Sequence, residues 1–280
     1  MCEFCIKHGE GKKWYLRAKN YSIELAEELK VKEAAAEFGS NFPRKMDQGW
    51  RLLKFIKKTP KFLQNMTRQI HSMWQKKMHY GQIIPIEDVE EIFKMMSTVV
   101  RLPCLCRMYN TDEKNARYCM GITMDPIRKD YADTVDRTFY NGPDLHGLEY
   151  LTLDEVMKLE HEYEKQGLVH TVWTLKTPFV VSICNCSIPT CTAFQLRQEN
   201  LRVMFKAEYV AIVDPDLCKG CKACMENCHF DAIQYNDETK KIMIDPTKCT
   251  GCGLCRIKCP VSAISLMDRR KHVIAKDLWY

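Results

Sequence analysis

The residues of this sequence that can carry out chemistry are its cysteines, of which there are 16 in 280 residues. They fall into four groups instead of being spread along the chain. Disulfides are disfavoured inside cells, so clustered cysteines in an intracellular chain indicate metal binding or redox chemistry. The densest group has eight members: Cys218, Cys221, Cys224, Cys228, Cys249, Cys252, Cys255 and Cys259.

These eight cysteines form two copies of one pattern, Cys-x2-Cys-x2-Cys-x3-Cys, at an offset of 31 residues. The copies extend over residues 214–233 and 245–264, and each begins with Asp-Pro and ends with Ala-Ile. A glycine precedes the second cysteine of each copy, at Gly220 and Gly251, where it lets the backbone approach a cluster. One interpretation of such a repeat is a pair of zinc sites, each with four cysteine ligands. The other is a pair of iron-sulfur clusters.

The duplicated pattern resembles the bacterial two-cluster ferredoxins, over roughly residues 207–267. The resemblance implies two [4Fe-4S] clusters in a βαββαβ-like domain. In that family three cysteines surround one cluster and the fourth, further along the chain, ligates the other. The resemblance therefore implies that one cluster is held by Cys218, Cys221, Cys224 and Cys259. It implies that the second is held by Cys249, Cys252, Cys255 and Cys228.

Two features depart from that family. His229 stands where the second copy has Pro260, either as a tolerated surface substitution or as a donor to a cluster sulfur. Basic residues also interleave the ligands, which predicts an acidic partner unless they are simply solvated. These basic residues are Lys219, Lys222, Lys248, Arg256 and Lys258.

The other eight cysteines predict a second metal-binding region. Two Cys-x-Cys pairs stand out, and in an extended segment both sulfurs of such a pair point to one side. We expect at least one further [4Fe-4S] cluster here; a zinc site or free buried cysteines are the alternatives. The candidate ligands are Cys104, Cys106, Cys119, Cys184, Cys186, Cys191, Cys2 and Cys5.

A histidine, His170, precedes the second Cys-x-Cys pair and is either a core residue or a ligand or donor to the metal. A histidine before an Ile-Cys-Asn-Cys segment, followed by a two-cluster ferredoxin repeat, resembles uncharacterised multi-cluster iron-sulfur proteins of anaerobes. That resemblance extends over the whole chain and implies no particular reaction.

The elements that position these cysteines can be partly predicted. Helices are expected over residues 22–38, capped by Ser22, and over 41–80 with a break at Thr59-Pro60. Further helices are expected over residues 86–99, from the capping box of Thr152 and Glu155 to Gly167, and over 192–206. Runs of β-branched residues predict extended segments at 170–175 and 179–183.

Charge and hydropathy indicate which classes of partner and which cellular location are expected. The formal net charge is +6, but two clusters with their thiolates would lower it to about +2. Residues 41–80 contain ten Lys or Arg and one acidic residue, a composition that favours docking to a partner or a solvated helix face over nucleic-acid binding. No membrane span or signal peptide is expected, which predicts a cytoplasmic protein.

The sequence thus predicts an α+β protein with a mainly helical, cysteine-rich domain over residues 1–206 and a dicluster ferredoxin domain over 207–280. The expected function is low-potential electron transfer to or from a partner redox enzyme with an acidic docking surface. The alternatives are an iron-sulfur oxidoreductase that reduces a small molecule at its N-terminal centre, and a reductive activator of a partner's cofactor. No motif announces a flavin or nicotinamide site.

Overall fold

The structure of the chain is a computed structural model that describes residues 13–75, 80–111, 113, 115–124 and 149–280. Helices and strands alternate in an α+β arrangement. Cys2 and Cys5 lie outside the described residues. Among the helices of the described part, none is both long and apolar enough to span a membrane.

The described N-terminal part is built round a seven-stranded sheet with the order β4-β2-β3-β6-β5-β1-β7. Neighbouring strands are antiparallel except β1 and β7, which are parallel. The extended segments predicted at 170–175 and 179–183 are confirmed as parts of β5 and β6. The strands are β1 (Gly81–Ile83), β2 (Thr98–Leu102), β3 (Cys119–Thr123), β4 (Glu149–Leu151), β5 (Val169–Lys176), β6 (Phe179–Cys186) and β7 (Met204–Phe205).

Helices surround this sheet, and two of them begin at the predicted caps. The Ser22 hydroxyl accepts the Leu25 N–H, and Thr152 and Glu155 form the reciprocal capping box. The predicted break at Thr59-Pro60 separates α3 from α4. The helices of this part are α1 (Ile23–Glu28), α2 (Val31–Ser40), α3 (Phe42–Lys58), α4 (Lys61–Gln75), α5 (Ile86–Lys94), α6 (Leu105–Asn110), α7 (Leu153–Lys165) and α8 (Thr192–Gln198).

Several predicted helix limits were wrong. The helix expected over 22–38 is two helices, because Lys30 adopts a left-handed backbone with φ of 51° between them. The helix expected over 86–99 ends at Lys94, and its last residues enter β2, where β-branched side chains favour a strand. The helix expected over 192–206 ends at Gln198. A sheet therefore lies at the centre of a region expected to be mainly helical.

The C-terminal part has the element order βαββαβ. Strands β8 and β11 form one antiparallel pair, and β9 and β10 form a hairpin. The two copies of the repeat share one backbone conformation at equivalent positions, since Gly220 and Gly251 both have positive φ, at 66° and 75°. The elements are β8 (Tyr209–Val213), α9 (Ala223–Glu226), β9 (Ile233–Asn236), β10 (Lys241–Ile244), α10 (Leu254–Ile257) and β11 (Ile264–Asp268).

The N-terminal and C-terminal parts are packed against each other. Arg256 forms a two-pronged ion pair with Glu87, with N···O distances of 2.5 and 2.9 Å. Beyond β11 the chain returns to the N-terminal part, where Trp279 is buried in one core with Trp14 and Tyr80. The last residues therefore join the two parts.

Candidate functional site

Two cavities lie inside the C-terminal part, and each is lined by four cysteines. The first, cavity one, has about 300 Å³ of space free of protein atoms, part of which is open to solvent. Its walls also include the apolar side chains of Val213, Ile242 and Ile264. The cysteines that line it are Cys218, Cys221, Cys224 and Cys259.

Cavity two lies on the other side of the repeat and has about 330 Å³ of such space. Phe230, Ile233 and Ile244 contribute apolar walls. Its four cysteines are Cys228, Cys249, Cys252 and Cys255. Each cavity thus takes three cysteines from one copy of the pattern and the last cysteine from the other copy.

The two repeated glycines bring backbone segments together beside these cavities. A Cβ atom on Gly220 would lie 2.0 Å from the carbonyl oxygen of Lys240, and one on Gly251 would lie 2.0 Å from that of Tyr209. The sequence predicted that these glycines let their own backbone approach a cluster. The structure shows that they also leave room for the backbone of Lys240 and of Tyr209. The Gly251 N–H, moreover, donates to the Cys249 thiol.

Other backbone N–H groups donate to the cavity sulfurs. The N–H of Ala211 lies 3.3 Å from Cys249 Sγ, and that of Ala263 lies 3.2 Å from Cys259 Sγ. Hydrogen bonds of this kind stabilise a sulfur that carries negative charge, as in a metal-bound thiolate. The donor pattern therefore fits sulfurs that ligate a cluster.

The pKa values of the cavity thiols show whether these sulfurs can be ionised without a bound metal. Burial raises the pKa of Cys224 to about 11 and the pKa of Cys252 to about 12. Without a metal bound to their sulfurs, these thiols would stay protonated at neutral pH. Iron in a [4Fe-4S] cluster supplies the charge that keeps four thiolates ionised, so the residues present fit that group.

Two buried cations lie near cavity two. Arg269 is fully buried and donates to the carbonyl oxygens of Ala207, Tyr209, Cys249 and Leu278. Lys206 is 2% exposed and donates from Nζ to the carbonyl of Thr247. Desolvation lowers the pKa of Arg269 to about 10 and that of Lys206 to about 8.

Six N-terminal cysteines come together at a second location, which we call the six-thiol site. Four separate segments supply them: the start of α6, the start of β3, the end of β6 and the residue before α8. Each thiol interacts with the next, so that the six form an unbroken row. In the order of that row they are Cys104, Cys119, Cys184, Cys186, Cys191 and Cys106.

Sheet register explains the centre of this row. Cys119 lies directly opposite Cys184 in the antiparallel pair of β3 and β6. Cys184 and Cys186 are two residues apart on β6 and therefore point to one face, as the Cys-x-Cys pattern predicts. Hydrogen bonds with Cys119 and Cys186 lower the pKa of Cys184 to about 7.

Two of the six thiols lie at the N-termini of helices. Cys104 and Cys191 occupy the N-cap positions of α6 and α8, and neither side chain makes a capping hydrogen bond. Among the described residues, no group of three or more His, Cys, Asp or Glu side chains is arranged to hold a single metal ion.

His170 contacts other partners than the thiols. Its Nδ1 lies 2.6 Å from Asn185 Oδ1 and 3.1 Å from Glu160 Oε2, in a fully buried group. Asn185 alternates with Cys184 and Cys186 along β6, so this group lies on the opposite face of the sheet. His170 is therefore a core residue, and Glu160 and Asn185 were not predicted because no spacing pattern marks them.

His229 also has a structural partner. Its Nε2 lies 2.7 Å from the carbonyl oxygen of Gly167, at the end of α7. This nitrogen contacts the N-terminal part of the chain, so His229 helps to join the two parts.

The comparison with known protein families agrees with the geometry of the two cavities. Residues 211–272 match the family described as a 4Fe-4S dicluster domain. These residues include every cysteine that lines cavity one or cavity two. No match to a curated protein was found. The C-terminal part is thus a dicluster ferredoxin domain, which supports iron-sulfur electron transfer.

Proposed function

We propose that this protein transfers single electrons at low potential through two [4Fe-4S] clusters to or from a partner redox enzyme. The observation that carries the proposal is the presence of two four-cysteine cavities inside the segment that matches the dicluster family. In this proposal the cysteines of cavity one ligate one cluster and those of cavity two ligate the other. The ferredoxin domain begins at residue 207 and includes the returning C-terminal residues.

The cysteines of the two cavities differ in their exposure to solvent. Cys221 of cavity one is exposed, whereas Cys249 and Cys255 of cavity two are buried. Because electron tunnelling favours a short path, the surface beside Cys221 is the second candidate for electron exchange with a partner, after the α3–α4 surface described below. Lys219 and Lys222 are exposed beside Cys221.

Potentiometric reduction of the anaerobically purified full chain tests this function. Stepwise reduction with dithionite should convert two [4Fe-4S] clusters to paramagnetic forms at potentials well below 0 mV. Electron paramagnetic resonance should show two interacting spins, since both clusters lie in one small domain. Reduction only above 0 mV, or cysteine-bound zinc in place of iron, would contradict the proposal.

The α3–α4 surface is the proposed docking site for the partner. We define it by exposed apolar side chains and exposed lysines. Exposed apolar residues at helical spacing beside basic residues suit a protein with an apolar groove and an acidic rim. The apolar members are Phe55, Phe62, Met66, Ile70 and Met73. The lysines are Lys54, Lys58 and Lys61.

Reversing the three lysines of the α3–α4 surface to Glu is expected to slow electron transfer to the acidic partner roughly tenfold at low salt, because steering by charge is lost. The difference should shrink above about 0.15 M salt, where the charges are screened. Lys57 is left unchanged because it pairs with Glu199 at 3.3 Å. Stopped-flow kinetics over a salt series measures the effect.

A matched control changes the net charge equally at other exposed lysines, Lys32, Lys158 and Lys165, each replaced by Glu. This control should keep the wild-type rate if the position of the charge matters. Equal rates for both triple variants at every ionic strength would move the docking site to the lysines beside Cys221.

A further inference from the structure

We propose that the six-thiol site holds a third iron-sulfur centre, a [4Fe-4S] cluster ligated by four of the six cysteines. No family match extends to this part of the chain, since the matched residues begin at 211. The proposal goes beyond the two clusters of the ferredoxin domain. It rests on cysteines from separate segments that the tertiary structure brings together.

The first argument is the number and contact of the thiols. A single buried cysteine is an ordinary small apolar side chain and needs no ligand. Here six thiols from four segments interact with one another in one continuous row. Cys104, Cys186 and Cys191 are buried, and the other three are half-buried. An ordinary core would surround each thiol with hydrocarbon, which packs well and requires no partner. The convergence therefore indicates a common ligand.

The second argument is the placement of the sulfurs by the sheet. Cys119 lies directly opposite Cys184 in the antiparallel pair of β3 and β6. Cys184 and Cys186 are two residues apart on β6, so their side chains point to one face. Cys191 packs in the same apolar cluster as Cys184 and Cys186. The strand pairing therefore gathers cysteines from separate segments at one place.

The third argument is location, and it favours iron over zinc. Cys186 and Cys191 belong to one apolar cluster that also includes Leu254, Phe230 and Cys252. Cys252 and Phe230 line cavity two, so the six-thiol site lies on the side of cavity two. A redox centre in that position can exchange an electron with its neighbour, whereas a zinc ion cannot.

Electron exchange between the two sites would make and break no bond. The cysteines of cavity two and of the six-thiol site would hold the two clusters, and one electron would pass from the first to the second. The electron comes from an external one-electron reductant, which is dithionite in the experiment. This step rests on the proposed function, whereas the presence of the third centre does not.

Metal analysis of the full chain, purified without oxygen, tests the proposal directly. Three clusters predict about twelve iron atoms and twelve sulfides per chain, whereas two clusters predict about eight of each. Eight irons together with zinc, or eight irons with six thiols that react with a thiol reagent, would overturn the proposal. Fewer than eight irons would instead contradict the function proposed for the ferredoxin domain.

A pair of variants then assigns the extra iron to these cysteines. Replacing Cys184 and Cys186 together by Ser removes the middle of the row, so about four irons should be lost. The control Ser182→Ala, on the same strand, removes a hydroxyl and no sulfur and should keep all twelve. Both measurements use iron per chain, and circular dichroism reports whether each variant is folded.

Magnetic coupling provides the last readout and remains informative if the double variant folds poorly. In the reduced wild type, the third centre should broaden the spin signal of the cavity two cluster more than that of the cavity one cluster. Cys221→Ser, which removes a cavity one ligand, should leave that broadening in place. Twelve irons with stronger coupling to cavity one would overturn the location proposed here.

Discussion

Replacing Cys259 by Ser is expected to have the same effect as replacing Cys221, although Cys259 belongs to the other copy of the repeat. Both side chains line cavity one, so each variant should lose or convert that cluster and lower iron by up to about four atoms per chain. Cys252→Ser should instead damage the cluster of cavity two. Iron analysis and the spin signal that survives reduction distinguish the two outcomes.

The matching experiment in cavity two uses Cys228, which belongs to the first copy but lines the cavity of the second. Cys228→Ser should reproduce the spectrum of Cys252→Ser. If Cys228→Ser reproduced the spectrum of Cys221→Ser, each cluster would be held within one copy, and the crossed ligation proposed here would be wrong.

Gly251→Ala is expected to destabilise the ferredoxin domain by about 3 kcal/mol or more. The new Cβ would lie 2.0 Å from the Tyr209 carbonyl oxygen, so backbone must move, and the residue would keep a strained φ of 75°. The cluster of cavity two should be lost first, because Gly251 lines that cavity. The rate of cluster loss in urea, followed by visible absorbance, measures the effect.

Gly253→Ala is the control for backbone conformation alone. Its φ is 86°, but its nearest neighbour is the end of the flexible Arg256 side chain, at 2.8 Å. The cost should be about 1–2 kcal/mol from the left-handed backbone. Equal rates of cluster loss in the two variants would show that the contact with Tyr209 contributes nothing.

The eight ferredoxin cysteines could be found from the sequence because their geometry is local. Three thiolates within seven residues surround one cavity whatever the rest of the chain does, and the repeat supplies the fourth. The two caps at Ser22 and Thr152 were predictable for the same reason, since a cap depends on residues three apart. These features needed no knowledge of the tertiary structure.

The six-thiol site could be predicted only as a set of candidate residues. Cys119 meets Cys184 because β3 pairs with β6, and that pairing joins segments far apart in the sequence. Strands as short as β1 and β4 show no alternation long enough to predict them. The sheet that assembles the site was therefore missed. The Cys-x-Cys spacing correctly placed Cys184 and Cys186 on one face of a strand. The same expectation was wrong for Cys104 and Cys106, because Cys106 lies in α6.

The buried cations beside cavity two have a consequence for assembly. In the described part of the chain, Arg269 and Lys206 form no ion pair with a carboxylate, and an uncompensated buried charge opposes folding. A [4Fe-4S] cluster with four thiolates carries a charge of about −2 and acts as the missing counterion. We therefore expect cluster insertion and packing of this region to be coupled, because ligand binding free energy is then also folding free energy. Proteases should accordingly cut the apoprotein faster in this region than the protein that has received iron.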